Sequence, residues 1–181
     1  GAFNSMGIAS TTEPVRFGGT EKLSEVEFTI EKVEKKLKQL RETSAPGPDD
    51  IHPRLLKECA HELAEPLALI FRKSFQEGTV PVDWKSTNIT PIYKNKGKKQ
   101  RAENYRPINL TSVPGKIMES MIKDAIIQHL RENNCIIDSQ HGFWPGRSVT
   151  TNLLDYLNVI TTALDYGIPY DVVLIDFKRA F

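Results

Sequence analysis

"NITPIYKNKGKKQRAENYRPINLT", residues Asn88 to Thr111, sets two β-branched and aromatic runs around a polar centre rich in lysine. Runs of this kind predict two short strands joined by a loop. Pro91 and Pro107 predict edge or irregular strands, because proline cannot donate to a ladder. Six basic side chains (Lys94, Lys96, Lys98, Lys99, Arg101, Arg106) stand against one acid, Glu103, an excess of five positive charges in a chain of net charge +1. Lys96, Lys98 and Lys99 read first as a solvated tip. Lys94 and Arg106 lie at the roots of the loop, where paired strands would hold two cations side by side in a fork suited to a triphosphate.

The flanks of this ribbon are helical. "SEVEFTIEKVEKKLKQLRET" places Val26, Ile30, Val33, Leu37 and Leu40 at steps of four and three, predicting an amphipathic helix opened by Ser24 with Glu27 completing a capping box. "SAPGPDDIHPRLL" breaks it around Gly47, and Pro53 suits the first turn of a second helix, expected to be interrupted at Pro66 and ended by Gly78. A third helix follows in "GKIMESMIKDAIIQHLREN". After the loop "DSQHGFWPGRS", Ser148 caps a fourth helix that Gly167 closes. "PYDVVLIDF" then reads as a strand buried on both faces and ending in a carboxylate, Asp176. Helices, a ribbon, helices and a core strand make an α+β or α/β architecture with a second layer of sheet begun.

Composition narrows the function classes. With 181 residues, 39% of them hydrophobic, the chain can bury one core, or one domain and the beginning of another. Twenty-four basic and 23 acidic side chains leave no global field toward nucleic acid or membrane, so an electrostatic footprint must be local. Cys59 and Cys135 show no zinc or disulfide pattern, which predicts a reducing, intracellular setting. No apolar run is long enough to span a bilayer. The opening "GAFNSMGIAS" reads as a tag followed by linker.

Asp176 follows an apolar strand, a place where ligands gather in open sheets, but Asp171 is too far along the strand to share an ion with it. In "QHGFWPGRS", Gly142 and Gly146 permit close backbone approach, and Arg147 and Ser148 arrive at a helix N-terminus suited to phosphate oxygens. An ordinary turn into a helix is the competing reading. His141 reads as a satisfied loop histidine, and His52, His61 and His129 have no metal-like spacing.

Taken together and in order, "SAPGPDDIHPRLL", "VPVDWKSTNITPIYK", "NYRPINLTS", "QHGFWPGRS" and "DVVLIDFKRAF" resemble the reverse transcriptases of non-LTR, LINE-type retrotransposons. The resemblance implies the fingers of a right-hand polymerase fold, α+β in class, with a disordered tag and linker over 1–22, an N-terminal helical extension over 23–85, fingers over 86–168 and the first strand of an incomplete palm over 169–181. Asp176 matches the first catalytic, metal-binding aspartate, and Phe177 the neighbour whose carbonyl faces a metal. Lys94 and Arg106 match the cations on the incoming nucleotide's triphosphate, and Phe181 the aromatic under its sugar. Lys98, Lys99, Arg101, Gln140, Arg147 and Ser148 become candidates for template and primer.

The same resemblance implies Mg²⁺ as cofactor and an RNA template, a DNA primer and deoxynucleotides as partners, in the nucleus and cytoplasm and away from membranes. Asp50 stands where the family usually has Gly, and Trp144 where it usually has a basic residue. The family's aspartate after Phe181 and its later paired aspartates are absent, so target-primed reverse transcription is expected of a longer parent and no polymerisation from this chain alone. Weak, salt-sensitive nucleic-acid binding is expected of the chain itself, and dimerisation through an exposed sheet edge is a further expectation. A non-catalytic module that binds nucleic acid or protein is the alternative reading.

Overall fold

The computed structural model describes residues 22–176. The chain divides into two units at the step from Glu132 to Asn133, and each is taken by itself.

The first unit is built on helices α1 (Ile30–Lys38), α2 (Pro53–Glu58), α3 (Ala60–Glu77) and α4 (Val113–Glu132). α1 begins five residues and more beyond the expected start at Ser24. Thr29 is its N-cap, with Oγ1 accepting from the Lys32 amide at 3.2 Å. Val26 and Phe28 are both buried while Glu25 and Glu27 are exposed. That alternation has the period of extended chain, and a helix would have thrown the two apolar side chains to opposite faces. Extended, Phe28 meets Phe71 and Phe75 edge-on at centroid distances of 5.9 and 5.6 Å, and Phe71 meets Trp84 in the same way at 5.8 Å.

The second helical segment also breaks elsewhere than expected. His52 caps α2 through Nδ1, Pro53 occupies its first position, and the chain bends at Cys59. α3 then runs unbroken through Pro66, whose neighbours Ala64, Leu67 and Ala68 are buried on both sides of it. Core packing holds the helix across the missing amide. Gly78, at φ 62°, ends it in the left-handed conformation that favours glycine.

α1 packs on α3, and Val33, Leu37, Leu56, Phe71, Val113, Ile117 and Met121 join them in one core. Lys36 ties α1 to α4 by donating to Ser120 Oγ at 2.8 Å and Asp124 Oδ2 at 2.5 Å. The Lys36 ammonium holds the Asp124 carboxyl below its ordinary range.

Two strands, β1 (Thr87–Tyr93) and β2 (Tyr105–Thr111), form the antiparallel ribbon the sequence predicts. Both ends of the ribbon are anchored. Trp84 enters the core just before β1, and Ser112 and Val113 are buried just after β2. Against that second anchor lies Gly47, where a Cβ would come within 2.6 Å of the Thr111 and Ser112 backbone. The same loop holds Asp50 at φ 53°, a left-handed conformation that glycine adopts without strain.

The second unit carries α5 (Val149–Asp165). Ser148 is its N-cap, in a capping box completed by Thr151, and Gly167 at φ 60° follows its end, with the Ile168 amide donating to Ala163 at 2.8 Å. Beyond it, the strand expected over "PYDVVLIDF" does not form: residues 168–176 have no regular structure, and Leu174 is 88% exposed. A strand exists through its ladder partners, and none of the described residues pairs with this segment. It therefore provides neither the doubly buried strand nor the sheet edge expected for dimerisation. Among the described residues, no helix is long and apolar enough to cross a membrane.

Candidate nucleic-acid interface

The ribbon register decides which side chains share a face. Tyr93 lies opposite Tyr105, Ile92 opposite Arg106 and Pro91 opposite Pro107. The Lys94 amide donates to the Asn104 carbonyl at 2.8 Å. Antiparallel pairs alternate between hydrogen-bonded and non-hydrogen-bonded, so Ile92–Arg106 is a bonded pair while Tyr93–Tyr105 and Pro91–Pro107 are not. The two prolines thus turn their missing donors away from the ladder.

Lys94 aligns with Asn104, and Arg106 lies two residues further along β2, so the two cations are diagonal neighbours on one exposed face. The side-by-side placement expected of the two cations is met only as this diagonal of backbone positions. Its members differ: Lys94 Nζ donates to the Glu103 carbonyl at 2.7 Å, whereas Arg106 has no side-chain partner among the described residues.

The loop between the strands is built, not slack. Gly97 takes φ 80° and packs on the Asn104 amide, which donates to the Lys98 carbonyl at 2.7 Å, and the Tyr93 hydroxyl donates to the Gly97 carbonyl. Lys99 Nζ sits 5.6 Å from the centre of the Tyr93 ring. Arg101 pairs with Glu103 at 3.2 Å. Lys98, Lys99 and Arg101 are all exposed on this scaffold.

In the second unit, Gln140 and Arg147 are joined by a hydrogen bond from Arg147 Nη1 to the Gln140 carbonyl at 3.2 Å. The Gln140 amide turns to Gly142, and Arg147 also lies 3.8 Å from Asp138. Ser148 Oγ accepts from the Thr151 amide, so its hydroxyl serves the cap. His141 is buried and satisfied at both ring nitrogens, with Thr151 Oγ1 and Asp155 Oδ2 each at 2.9 Å. Phe143, at φ 59°, is fully exposed. Such a conformation is strained for an aromatic residue, and nothing in the motif "QHGFWPGRS" marks it in advance.

Asp176 is exposed. Among the described residues no group of three or more His, Cys, Asp or Glu side chains could hold a metal ion, and magnesium requires several oxygen ligands in fixed geometry. The described residues therefore do not make up a magnesium site around Asp176. Phe177 and Phe181 lie outside the described residues.

Sequence comparison adds an independent line. No protein-family model matches the chain. The "Probable RNA-directed DNA polymerase from transposon BS" of Drosophila melanogaster is 28% identical to it over 152 residues, 84% of this chain and 17% of that protein. The "RNA-directed DNA polymerase from mobile element jockey" of the same organism is 28% identical over 153 residues, with the same coverage of 84% and 17%. The 115 kDa protein of its type-1 retrotransposable element R1DM is 29% identical over 145 residues, covering 79% and 14%. The chain thus spans 17% of the length of the first two relatives. Motif order and these matches agree: over part of their length, the chain is similar to RNA-directed DNA polymerases of Drosophila transposons and mobile elements, in line with the resemblance to non-LTR, LINE-type reverse transcriptases.

Proposed function

We propose that this chain is the fingers-side part of an RNA-directed DNA polymerase of a non-LTR retrotransposon, with residues 23–85 as its helical extension, 86–168 as fingers and 169–181 leading into the palm. The observation that carries the reading is the ribbon: Lys94 and Arg106 share one exposed face, above a cationic loop held by its own hydrogen bonds. Two cations on one face neutralise the charge of a triphosphate as it is attacked by a primer hydroxyl. Lys98, Lys99 and Arg101, with Gln140, Arg147 and Ser148 in the second unit, are the proposed contacts to template and primer. Asp176, Phe177 and Phe181 are the proposed start of the parent's magnesium and nucleotide site, whose remaining ligands would lie outside the described residues. The parent is placed in the nucleus and cytoplasm, where the two free thiols, Cys59 and Cys135, stay reduced.

Fluorescence anisotropy with a 12-nucleotide single-stranded RNA, over a salt series, tests the reading on the chain itself. Binding is expected to weaken as salt rises, and each lost phosphate contact lowers the log–log slope by about 0.7 for a single strand. Reversing Lys98 and Lys99 to Glu is expected to lower both affinity and slope. Binding that ignores salt and the charge reversal would show that the loop is not the contact.

A further inference from the structure

We infer that the other face of the ribbon, around Tyr105, Pro91 and Pro107, is a stacking site for one unpaired nucleobase of a single-stranded nucleic acid. This deepens the proposed nucleic-acid reading and rests on it. Lys94 and Arg106 belong to the face that carries Ile92 and Asn104, and the odd-numbered residues of both strands point the other way. There the non-hydrogen-bonded pairs bring side chains closest together. Tyr93 and Tyr105 pack at 5.4 Å with their rings tilted by 52°, and beside them Pro91 and Pro107 are directly opposed.

Together with Lys99, Gln100 and Ala102, Tyr105 and the two prolines line an open depression of about 600 Å³. Its lining is mostly apolar. Tyr93 backs Tyr105, which fixes the orientation of that ring, and the proline rings are rigid. The surface is therefore already organised to receive a flat apolar group. The Gln100 amide can both donate and accept, as the edge of a base requires, and the Lys99 ammonium offers a partner for a phosphate.

Charge selects the occupant. An apolar peptide would gain from the walls alone, and a cationic one would be repelled by the loop's excess of five positive charges. A duplex hides its base faces in its own stack. A single strand supplies both a free π-face and a phosphate chain, the combination that stacking platforms in cationic grooves recognise. The ribbon would then hold a nucleotide's phosphates on one face and an unpaired base on the other.

The test is a 12-nucleotide single-stranded RNA carrying one 2-aminopurine, whose emission falls when it stacks. With the whole chain at low salt, quenching is expected, together with binding at least about tenfold tighter than to the same sequence as an RNA duplex. Tyr105→Ala is expected to abolish the quenching and weaken binding by about fivefold or more, and Tyr105→Phe to preserve both, because stacking does not use the hydroxyl. Salt-sensitive binding without quenching by the unmutated chain overturns the stacking site and leaves the cationic contact standing. Equal binding of a 12-residue poly-glutamate peptide, or unchanged quenching in a folded Tyr105→Ala chain, also overturns it. If no oligonucleotide binds at any salt concentration, the nucleic-acid reading fails and the inference with it.

Discussion

α3 and α5 are helices of nearly equal length with apolar residues in every turn, and they meet opposite ends. α3 buries Ala60, Ala64, Leu67, Ala68 and Phe71, whereas α5 buries only Ala163 and leaves Val149 86% and Leu164 72% exposed. Periodicity and caps decide that both are helical. Burial is decided by what lies opposite: within the first unit the core closes on α3 from several sides, while α5 keeps most of its apolar side chains exposed. The exposed Val172 to Ile175 share that condition.

The widest separation between the two regions should come from matched truncations read by urea unfolding. Phe71→Ala removes a side chain with no exposure, in edge contact with Phe28 and Trp84, and is expected to cost about 3–5 kcal/mol. Leu154→Ala, on the open face of α5, is expected to stay within about 0.5 kcal/mol. A loss above about 2 kcal/mol at Leu154 would break the comparison, because it would show that α5 is packed in solution.

His141 tests whether the second unit holds itself together by other means. Its buried ring joins the loop before α5 to Thr151 and Asp155. Two hydrogen bonds of this kind are worth about 1–3 kcal/mol together. Thr151 keeps its bonds to Ser148 without the ring, so the loss in His141→Ala should be local. Hydrogen exchange is the measurement: amides from Gln140 to Asn152 are expected to exchange faster, with those of α1 and α3 unchanged. No change around the loop would mean that the histidine staples nothing.

What the sequence made legible follows the same division. The ribbon is legible because Pro91, Pro107 and the β-branched runs are local signals, and the cap at Ser148 and the helix start at Pro53 are legible for the same reason. The onset of α1 is not legible, because Val26 fits a helical stripe as well as an extended one, and only the burial of Phe28 distinguishes them. Pro66 carried less weight than the core on either side of it. The terminal strand is not legible from its residues alone, because an apolar run reports a demand for burial, which a sheet must then meet. The ribbon's roots were legible as a pair of cations, while its second face was not, because the opposition of Tyr93 to Tyr105 depends on register and register is set by pairing.

The smallest effect concerns how electrostatics supports the closed core, and it appears only in acid. Lys36 binds Asp124 across α1 and α4 and depresses its pKa below the ordinary value of 3.8. A carboxylate depressed by folding contributes its stability above the unfolded value and loses it as the pH falls through the folded one. The window therefore lies below about pH 4, extending downward. Because the Asp124 side chain is half exposed, at 50%, solvent screening limits the contribution to about 1 kcal/mol or less. Glu27, Glu34 and Glu42 are shifted the same way by Lys32, Lys38 and Lys57, so the total acid sensitivity does not isolate this pair. The difference between the parent chain and Asp124→Asn does: the unfolding midpoints should be separated at pH 7 and converge toward pH 2, and high salt should shrink the separation at pH 7. A gap that persists unchanged into acid would mean that Asp124 acts through packing and not through its charge.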